Sequence, residues 1–230
     1  MSCGRTPPAC GRGPTRLAFR LQWDAFVAGE AAVGAVVVDG GGAVVSTGRN
    51  RRHGASAPPG ELAGTSLAHA EVNALVKLPP GEYRDHTLLT TLEPCLLCSA
   101  ALRMSHVGTV AYAAADPLWT DIDRLPLTNP HIARHWAVRA GRMGGPLEAW
   151  ATLLAVVRHA APGGHGAVVA QYRRDLPAVM ALAQRLVDEG YVAKLRELSL
   201  TEAFEVVGTV AAVSGRRAQD RRPQRTTAGG

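Results

Sequence analysis

The stretch "LAHAEVNAL", residues 67–75, decides how the rest of the chain is interpreted. It places His69 and Glu71 two positions apart, in the first turns of a predicted helix for which Ser66 offers an N-cap. Residues at positions i and i+2 do not share a helix face, so a site along the side of the helix could not use both side chains. A ligand beyond the N-terminus of the helix could be reached by both. The stretch therefore predicts a site at the end of a helix.

A second stretch, "TTLEPCLLCSAAL" at residues 90–102, indicates the partner of the first. Pro94 opens another predicted helix, and Cys95 and Cys98 lie in its first turn. The positive end of the helix dipole favours the thiolate forms of these cysteines, and this spacing allows both sulfurs to hold one ion. In a chain without a secretion signal, such a pair indicates metal or redox chemistry rather than a structural disulfide.

One imidazole and two thiolates, from His69, Cys95 and Cys98, are a ligand set suited to zinc. Three protein ligands leave a fourth position for water, and zinc lowers the pKa of that water toward neutrality. Glu71 would then take the proton and pass it on, a role that a purely structural site does not need. The simpler alternatives are a Cys pair that belongs to the core and an exposed helix acid at position 71.

The segments around the two stretches predict an α/β fold. A helix covers residues 16–30, and "VGAVVVDGGGAVVSTG" at 33–48 is typical of a β-hairpin. Strands at 86–92 and 107–114 alternate with the two motif helices, which favours parallel pairing with right-handed crossovers. The segment "WAVRAG" at 136–141 is a candidate fifth strand.

The chain divides into four predicted parts. These are a flexible basic tail at 1–16, the main domain at 17–160, a helical C-terminal extension at 161–215 and a disordered basic tail at 216–230. The net charge is +6, and residues 1–20 and 216–230 each contribute +4, so the 195 residues between them carry −2. The basic character therefore belongs to the tails, which are expected to be solvated or to touch RNA or an acidic surface. Cys3 and Cys10 lie in the first tail and are interpreted as incidental.

The absence of a long apolar run predicts that the protein neither crosses nor binds a membrane. The Arg, Gly and Pro-rich start does not have the pattern of a secretory signal, and the expected location is the cytoplasm.

The motifs "HAE" and "PCLLC" resemble the H-x-E and P-C-x-x-C signature of the zinc-dependent cytidine deaminase superfamily. With "VGAVVVD", "GRNR" and "VAYAAADP", they resemble the branch of tRNA adenosine deaminases and guanine deaminases over residues 17–150. The resemblance implies a three-layer fold with a mixed five-stranded sheet between helices. It also implies a homodimer and one Zn²⁺ per chain.

The resemblance also implies roles for individual residues. His69, Cys95 and Cys98 would hold zinc, and Glu71 would move protons to the ring nitrogen and to the departing ammonia. Asn50 would hydrogen-bond the base, and the backbone amide of Ala70 would lie near the substrate carbonyl or its equivalent.

Two residues of the later loop have two possible roles each. Asp116 is expected either to bind substrate or to cap its own turn, and Trp119 either to stack on a base or to pack in the fold. His106 and His135 are interpreted as surface or packing residues, because the three ligands are already assigned.

These observations favour a hydrolase that acts on C–N bonds. Zinc hydroxide would attack the amine-bearing ring carbon of a small nucleobase, nucleoside or related aminated heterocycle, and ammonia would leave. The alternative is a tRNA adenosine-to-inosine deaminase, and a third possibility is a zinc-stabilised scaffold without activity. The chain differs from the tRNA enzymes at "GTSL" (64–67), at "LWTDIDRL" (118–125) and in a longer loop at 51–66. These segments are expected to shape the mouth of the pocket and hence the choice of substrate.

Overall fold

The computed structural model describes residues 12–208 and contains a mixed five-stranded sheet. Its strands are β1 (Gly34–Val38), β2 (Val44–Arg49), β3 (Tyr83–Leu92), β4 (Val107–Ala114) and β5 (Val138–Gly141). They lie in the order β2-β1-β3-β4-β5. The β1–β2 and β1–β3 pairs are antiparallel, whereas β3, β4 and β5 are parallel to one another. The predicted mixed sheet, with its fifth strand, is confirmed.

Helices flank the sheet along the whole described chain. They are α1 (Arg12–Val27), α2 (Ala70–Leu75), α3 (Leu96–Met104), α4 (Leu125–Thr128), α5 (Pro130–Ala133), α6 (Gly145–Ala160), α7 (Gly166–Asp175), α8 (Pro177–Asp188) and α9 (Tyr191–Arg196). A last helix, α10, occupies residues 200–208 up to the end of the described part. Two short 3-10 helices, Pro117–Trp119 and Ile122–Arg124, follow β4.

Strand β1 shows why the fold has three layers. All five of its residues are buried, because alternate side chains point to opposite faces of the sheet and both faces are covered. Val36 and Val38 pack with Ala18 of α1 on one face. On the other face, Ala35 and Val37 pack with apolar side chains of α2 and α3. The three-layer α/β prediction is confirmed.

Helix α2 starts later than Ser66 would place it. His69 is its N-cap residue, and Ser66 is exposed in the preceding turn. The helix also lies directly on β2, since a Cβ atom at Gly48 would collide with the backbone of Ala70 and Asn73. This close approach fixes the end of α2 from which His69 projects.

The helices after residue 160 share a core with the sheet domain. One buried cluster joins Trp23 of α1, Trp150 of α6, Leu186 of α8, Leu195 of α9 and Ala203 of α10. The division at residue 160 stays a prediction, but the packing on its two sides is continuous. At the other end, residues 12–16, which are predicted to belong to the flexible tail, form the first turns of α1. Their polar sequence gives no helical periodicity, but Pro14 is compatible with the first turn of a helix. Residues 1–11 and 209–230, including Cys3, Cys10 and the tail at 216–230, lie outside the described residues.

None of the helices within residues 12–208 is long and apolar enough to span a bilayer.

Candidate metal centre and active site

Two helix starts meet at one point beside the sheet. His69 is the N-cap of α2 and Cys95 is the N-cap of α3, and both have extended backbone conformations. Neither side chain makes the hydrogen bond of an N-cap to its own helix, so both can point beyond the helix ends. Cys98, one turn further along α3, is fully buried behind them.

The three side chains form a nearly equilateral triangle of donor atoms. The distances are 3.6 Å from His69 Nδ1 to Cys95 Sγ, 3.5 Å from His69 Nδ1 to Cys98 Sγ and 3.5 Å between the two sulfurs. Tetrahedral zinc, with bonds of about 2.3 Å to sulfur and about 2.0 Å to nitrogen, would separate two sulfurs by about 3.8 Å and a sulfur from a nitrogen by about 3.5 Å. The triangle therefore fits a zinc ion, and His69, Cys95 and Cys98 are the residues that would hold it.

The two thiols differ in acidity. A hydrogen bond from the Cys98 thiol, assisted by one from His69, lowers the pKa of Cys95 to about 4. The same hydrogen bond to the Cys95 thiolate, together with burial, raises the pKa of Cys98 well above its usual value. One thiolate is thus formed readily, and a cation is required to stabilise the second.

Glu71 lies within the site but outside the ligand triangle. Its side chain is 3 % exposed, and its Oε1 accepts a 3.3 Å hydrogen bond from Oγ1 of Thr90. Burial, followed by the charge of Cys95, raises the pKa of the Glu71 carboxyl. A carboxyl with a raised pKa is suited to accepting and returning a proton near neutral pH. Sequence reasoning missed Thr90, although its position four residues before Pro94 on a strand leading into the site was a usable signal.

Two of the predicted substrate residues, Asn50 and Ala70, are buried. Asn50 directly follows β2 and is 3 % exposed, and its Oδ1 accepts a 3.2 Å hydrogen bond from the backbone N–H of Arg52. Ala70 follows the ligand His69 and is fully buried at the contact with Gly48. Both residues therefore flank the start of α2, and their contacts with substrate stay predictions.

Asp116 and Trp119 lie at the carboxyl end of β4. Oδ1 of Asp116 accepts hydrogen bonds from the Leu118 N–H, at 3.1 Å, and from the Tyr172 hydroxyl, also at 3.1 Å. Its carboxylate thus caps the 3-10 turn and joins it to α7. Trp119 is half-buried in that turn, and its backbone N–H donates to the backbone carbonyl of Asp116. The geometry favours the capping role for Asp116. The contacts of Asp116 and Trp119 with substrate stay predictions.

A buried ion pair supports the loop that carries Cys95. Arg139 of β5 contacts Glu93 at 2.8 Å, and the two side chains are only 6 % and 11 % exposed. Glu93 Oε2 accepts from the Asp116 N–H at 3.0 Å, and Arg139 also donates to the Ser99 hydroxyl at 3.3 Å. The pair therefore connects β5 with the loops that follow β3 and β4, next to the ligand Cys95. No local pattern pointed to it, because the two residues are 46 positions apart.

A basic cavity lies between α1, α6 and the helices that follow α6. It has a volume of about 740 Å³, and its lining includes Arg52, Arg158, His159 and His165. Burial, followed by the charges of Arg158, Arg52 and His165, lowers the pKa of His159. The hydrogen bond to Cys95 raises the pKa of His69, and the charge of Arg52 acts against that rise. Arg52 lines the cavity, and its charge also opposes protonation of His69.

Part of the chain is similar in sequence to a described family and to curated proteins. Residues 14–114 match the family described as the cytidine and deoxycytidylate deaminase zinc-binding region. The chain is 33 % identical over 132 residues to a tRNA(Ile)-lysidine synthase of Deinococcus radiodurans, covering 56 % of this chain and 21 % of that protein. It is 30 % identical over 100 residues to a tRNA-specific adenosine deaminase of Streptococcus pyogenes serotype M1, covering 42 % of this chain and 53 % of the relative. The chain thus spans between a fifth and about half of the length of these curated relatives.

Solved structures with similar folds include two deaminases. One comes from work on A-to-I editing by tRNA:A34 deaminases at the wobble position of transfer RNA, with 22 % identity and a TM-score of 0.49 over 63 % of this chain and 99 % of the other. The other is a guanine deaminase from Nitrosomonas europaea, with 18 % identity and a TM-score of 0.46 over 68 % of this chain and 87 % of the other. Residues 14–114 are thus similar to the zinc-binding region of cytidine and deoxycytidylate deaminases both in sequence and in the His/Cys/Cys group that they bring together.

Proposed function

We propose that this protein is a hydrolytic deaminase, a hydrolase that acts on the C–N bond of a small nucleobase, a nucleoside or a related aminated heterocycle. One observation carries the proposal: a buried carboxyl, Glu71, lies beside a His/Cys/Cys group but is not a member of it. A zinc ion held by that group supplies the Lewis acidity that makes a water molecule nucleophilic at neutral pH. A scaffold that used zinc only for stability would gain nothing from a buried acid at position 71.

Glu71 performs the proton transfers of the proposed reaction. It takes a proton from water as the oxygen bonds to the amine-bearing ring carbon, and it delivers that proton to the adjacent ring nitrogen. It then passes the second proton of the water to the amino group, the C–N bond breaks, and ammonia leaves as the ring carbonyl forms. Thr90 orients the carboxyl through its hydrogen bond to Oε1.

The base is proposed to lie against the start of α2. Asn50 would hydrogen-bond the ring, the Ala70 amide would meet the substrate carbonyl or its equivalent, and Trp119 would stack on the ring. The net charge of −2 on residues 21–215 supports a substrate of low charge, since that body attracts polyphosphate poorly.

The test is an ammonia-release assay of zinc-loaded protein across purines, pyrimidines and their nucleosides. The proposal predicts turnover of at least one aminated base or nucleoside and none of the matched oxo compound. Zinc-loaded, folded protein that released no ammonia from any of them would contradict a small-molecule substrate.

The second candidate is tRNA adenosine-to-inosine editing, which two observations favour. The curated relatives described above are tRNA enzymes by name. The basic cavity offers the guanidinium groups of Arg52 and Arg158 to a phosphate backbone. The Arg-rich ends of the chain would add further phosphate contacts.

Inosine formation in an anticodon stem-loop tests this candidate. Binding should weaken as salt is raised, and Arg52→Gln with Arg158→Gln should reduce both the affinity and the salt slope. Arg134→Gln is the matched control, because Arg134 is exposed just before β5, away from the metal centre. Editing that survives the double change without loss of salt dependence would rule out the cavity as the RNA site.

Homodimerisation is a further expectation from the family resemblance, and a cytoplasmic location is one from the residue pattern of the chain. The mass of the purified protein in solution, measured by light scattering during gel filtration, tests the first of these.

A further inference from the structure

Two histidines and a glutamate lie together at the edge of the sheet remote from the proposed catalytic centre. Glu82 precedes β3, His106 precedes β4, and His135 lies in the turn before β5. These three strands are parallel, so their starts share one edge, and Tyr83 is the register partner of Val107. The ligands Cys95 and Cys98 follow the opposite end of β3, whose ten residues extend over roughly 30 Å.

The side chains of this cluster already contact one another. His106 Nδ1 lies 2.6 Å from Glu82 Oε1, and the rings of His106 and His135 are stacked with their centroids 4.4 Å apart. One ligand atom from each of the three residues lies within 4.8 Å of the others. Among the residues that the structure describes, this is the second group with the composition and spacing of a metal site.

The backbone contributes to this convergence. His106 and His135 have φ values of 55° and 70°, in the left-handed region that residues other than glycine adopt uncommonly. Such conformations cost free energy and persist where the surroundings favour them. Here they occur at two corresponding places, the turns before adjacent parallel strands, and in both cases they bring an imidazole to the same point.

We propose that Glu82, His106 and His135 form a second metal site, selective for a divalent first-row transition ion such as zinc. Two imidazoles and one carboxylate suit such an ion, and three ligands leave at least one position to water. Glu82 binds through Oε1, because its Oε2 faces the Arg84 guanidinium at 3.6 Å.

Metal binding requires only a small rearrangement. Ligand atoms around a tetrahedral ion with bonds of about 2.0 Å lie about 3.3 Å apart, so the Glu82–His106 contact lengthens and one ring turns about its Cβ–Cγ bond. The rings of His106 and His135 are stacked with an interplanar angle of 17°. Because the side chain of His106 is 33 % exposed, its ring can rotate on the solvent side. The bound ion would join the segments that precede β3, β4 and β5.

Cobalt titration of the untagged, metal-free full-length chain tests the site without relying on activity. The first equivalent should give the intense thiolate-to-cobalt charge-transfer band of the Cys-containing centre. A second equivalent should bind with only the weak d–d bands of nitrogen and oxygen ligands, and elemental analysis of zinc-loaded protein should give two ions per chain.

The variant His106→Asn/His135→Asn should lose the second equivalent and keep the first, since Asn tolerates the left-handed backbone but is a poor ligand for these ions. Glu82→Gln is the second variant and should also lose the second equivalent without any change at a strained position. His86→Gln is the matched control, because His86 pairs with Asp85 on the same strand but lies outside the cluster.

Three results would overturn the site. They are a wild-type chain that binds one equivalent, a second equivalent that carries a thiolate band, and a second equivalent that persists in the variants. Because the readout is stoichiometry and spectrum, these results are distinct from a failure of the proposed deaminase activity.

Discussion

The carboxylate of Asp116 accepts hydrogen bonds within the protein that stabilise the fold. The residue is 5 % exposed, and Oδ1 accepts from both Leu118 and Tyr172. Burial raises the pKa of Asp116 from 3.8 to about 6, despite the opposing effect of these two hydrogen bonds. The folded chain therefore holds a proton on Asp116 that the unfolded chain releases at lower pH.

This difference predicts a pH dependence of stability. Because the pKa is raised in the folded state, the stabilisation by the bound proton is complete below about pH 4 and is lost as pH rises toward about pH 6. Urea unfolding of the wild type should thus lose up to about 3 kcal/mol across this window relative to Asp116→Asn, which does not titrate. A difference between the two proteins that stayed constant with pH would contradict the shift.

At the residue scale, the sequence predicted that three possible metal ligands meet, because they lie in two short motifs, each at the start of a helix. His69, Cys95 and Cys98 converge as the helix-end argument requires. Thr90 and Arg139 were not predicted, since their roles depend on partners that only the folded sheet brings close. The hydrogen bond from Tyr172 to Asp116 was not predicted either, because α7 lies more than fifty residues further along the chain.

At the scale of elements, the Glu93–Arg139 pair connects β5 with the loop that carries Cys95. Removing one partner of a buried pair leaves the other charge without compensation. Arg139→Met should therefore lower the free energy of unfolding by about 3 kcal/mol or more. Addition of Glu93→Gln should recover part of that loss, which urea titration of the single and double variants would measure.

The control for this pair lies at the end of the same strand. Arg142 and Glu148 form an exposed pair, with the Arg142 side chain 67 % exposed, so Arg142→Met should cost less than about 1 kcal/mol. Equal costs for the two arginine changes would mean that the buried pair has no special role.

The strands were easier to predict than the loop after β4. The β1–β2 hairpin and the buried strands carry strong local patterns of Val and Leu between turn residues. The segment from 117 to 133, which shows no clear pattern in the sequence, forms two 3-10 turns followed by α4 and α5. Prolines at 117, 126 and 130 start three of these pieces, and each piece is too short to show helical periodicity.

At the scale of the whole molecule, the helices beyond residue 160 are part of the main core. The rings of Trp150 and Phe204 lie 5.2 Å apart, and those of Trp150 and Trp23 lie 5.8 Å apart, so α1, α6 and α10 pack together. The sequence predicted these helices but not this packing, because an amphipathic pattern shows which face is buried and not which partner covers it.

This shared core predicts one cooperative unfolding transition. Leu186→Ala in α8 removes a fully buried side chain and should destabilise the chain by about 2–5 kcal/mol. In urea, loss of helical circular dichroism and release of zinc to a chromophoric chelator should shift together to lower denaturant. If the C-terminal helices were an independent unit, the variant would leave the midpoint of zinc release unchanged.

The most direct test of the account is the zinc content and turnover of Glu71→Ala. The measurement compares zinc per chain and the rate of ammonia release with those of the wild type, on the best substrate of the nucleobase and nucleoside panel. Because Glu71 lies outside the ligand triangle, the variant should keep the zinc content of the wild type, and kcat should fall by about 10²- to 10⁴-fold. Loss of zinc, or turnover that persisted at the wild-type rate, would contradict the division of roles between the three ligands and Glu71.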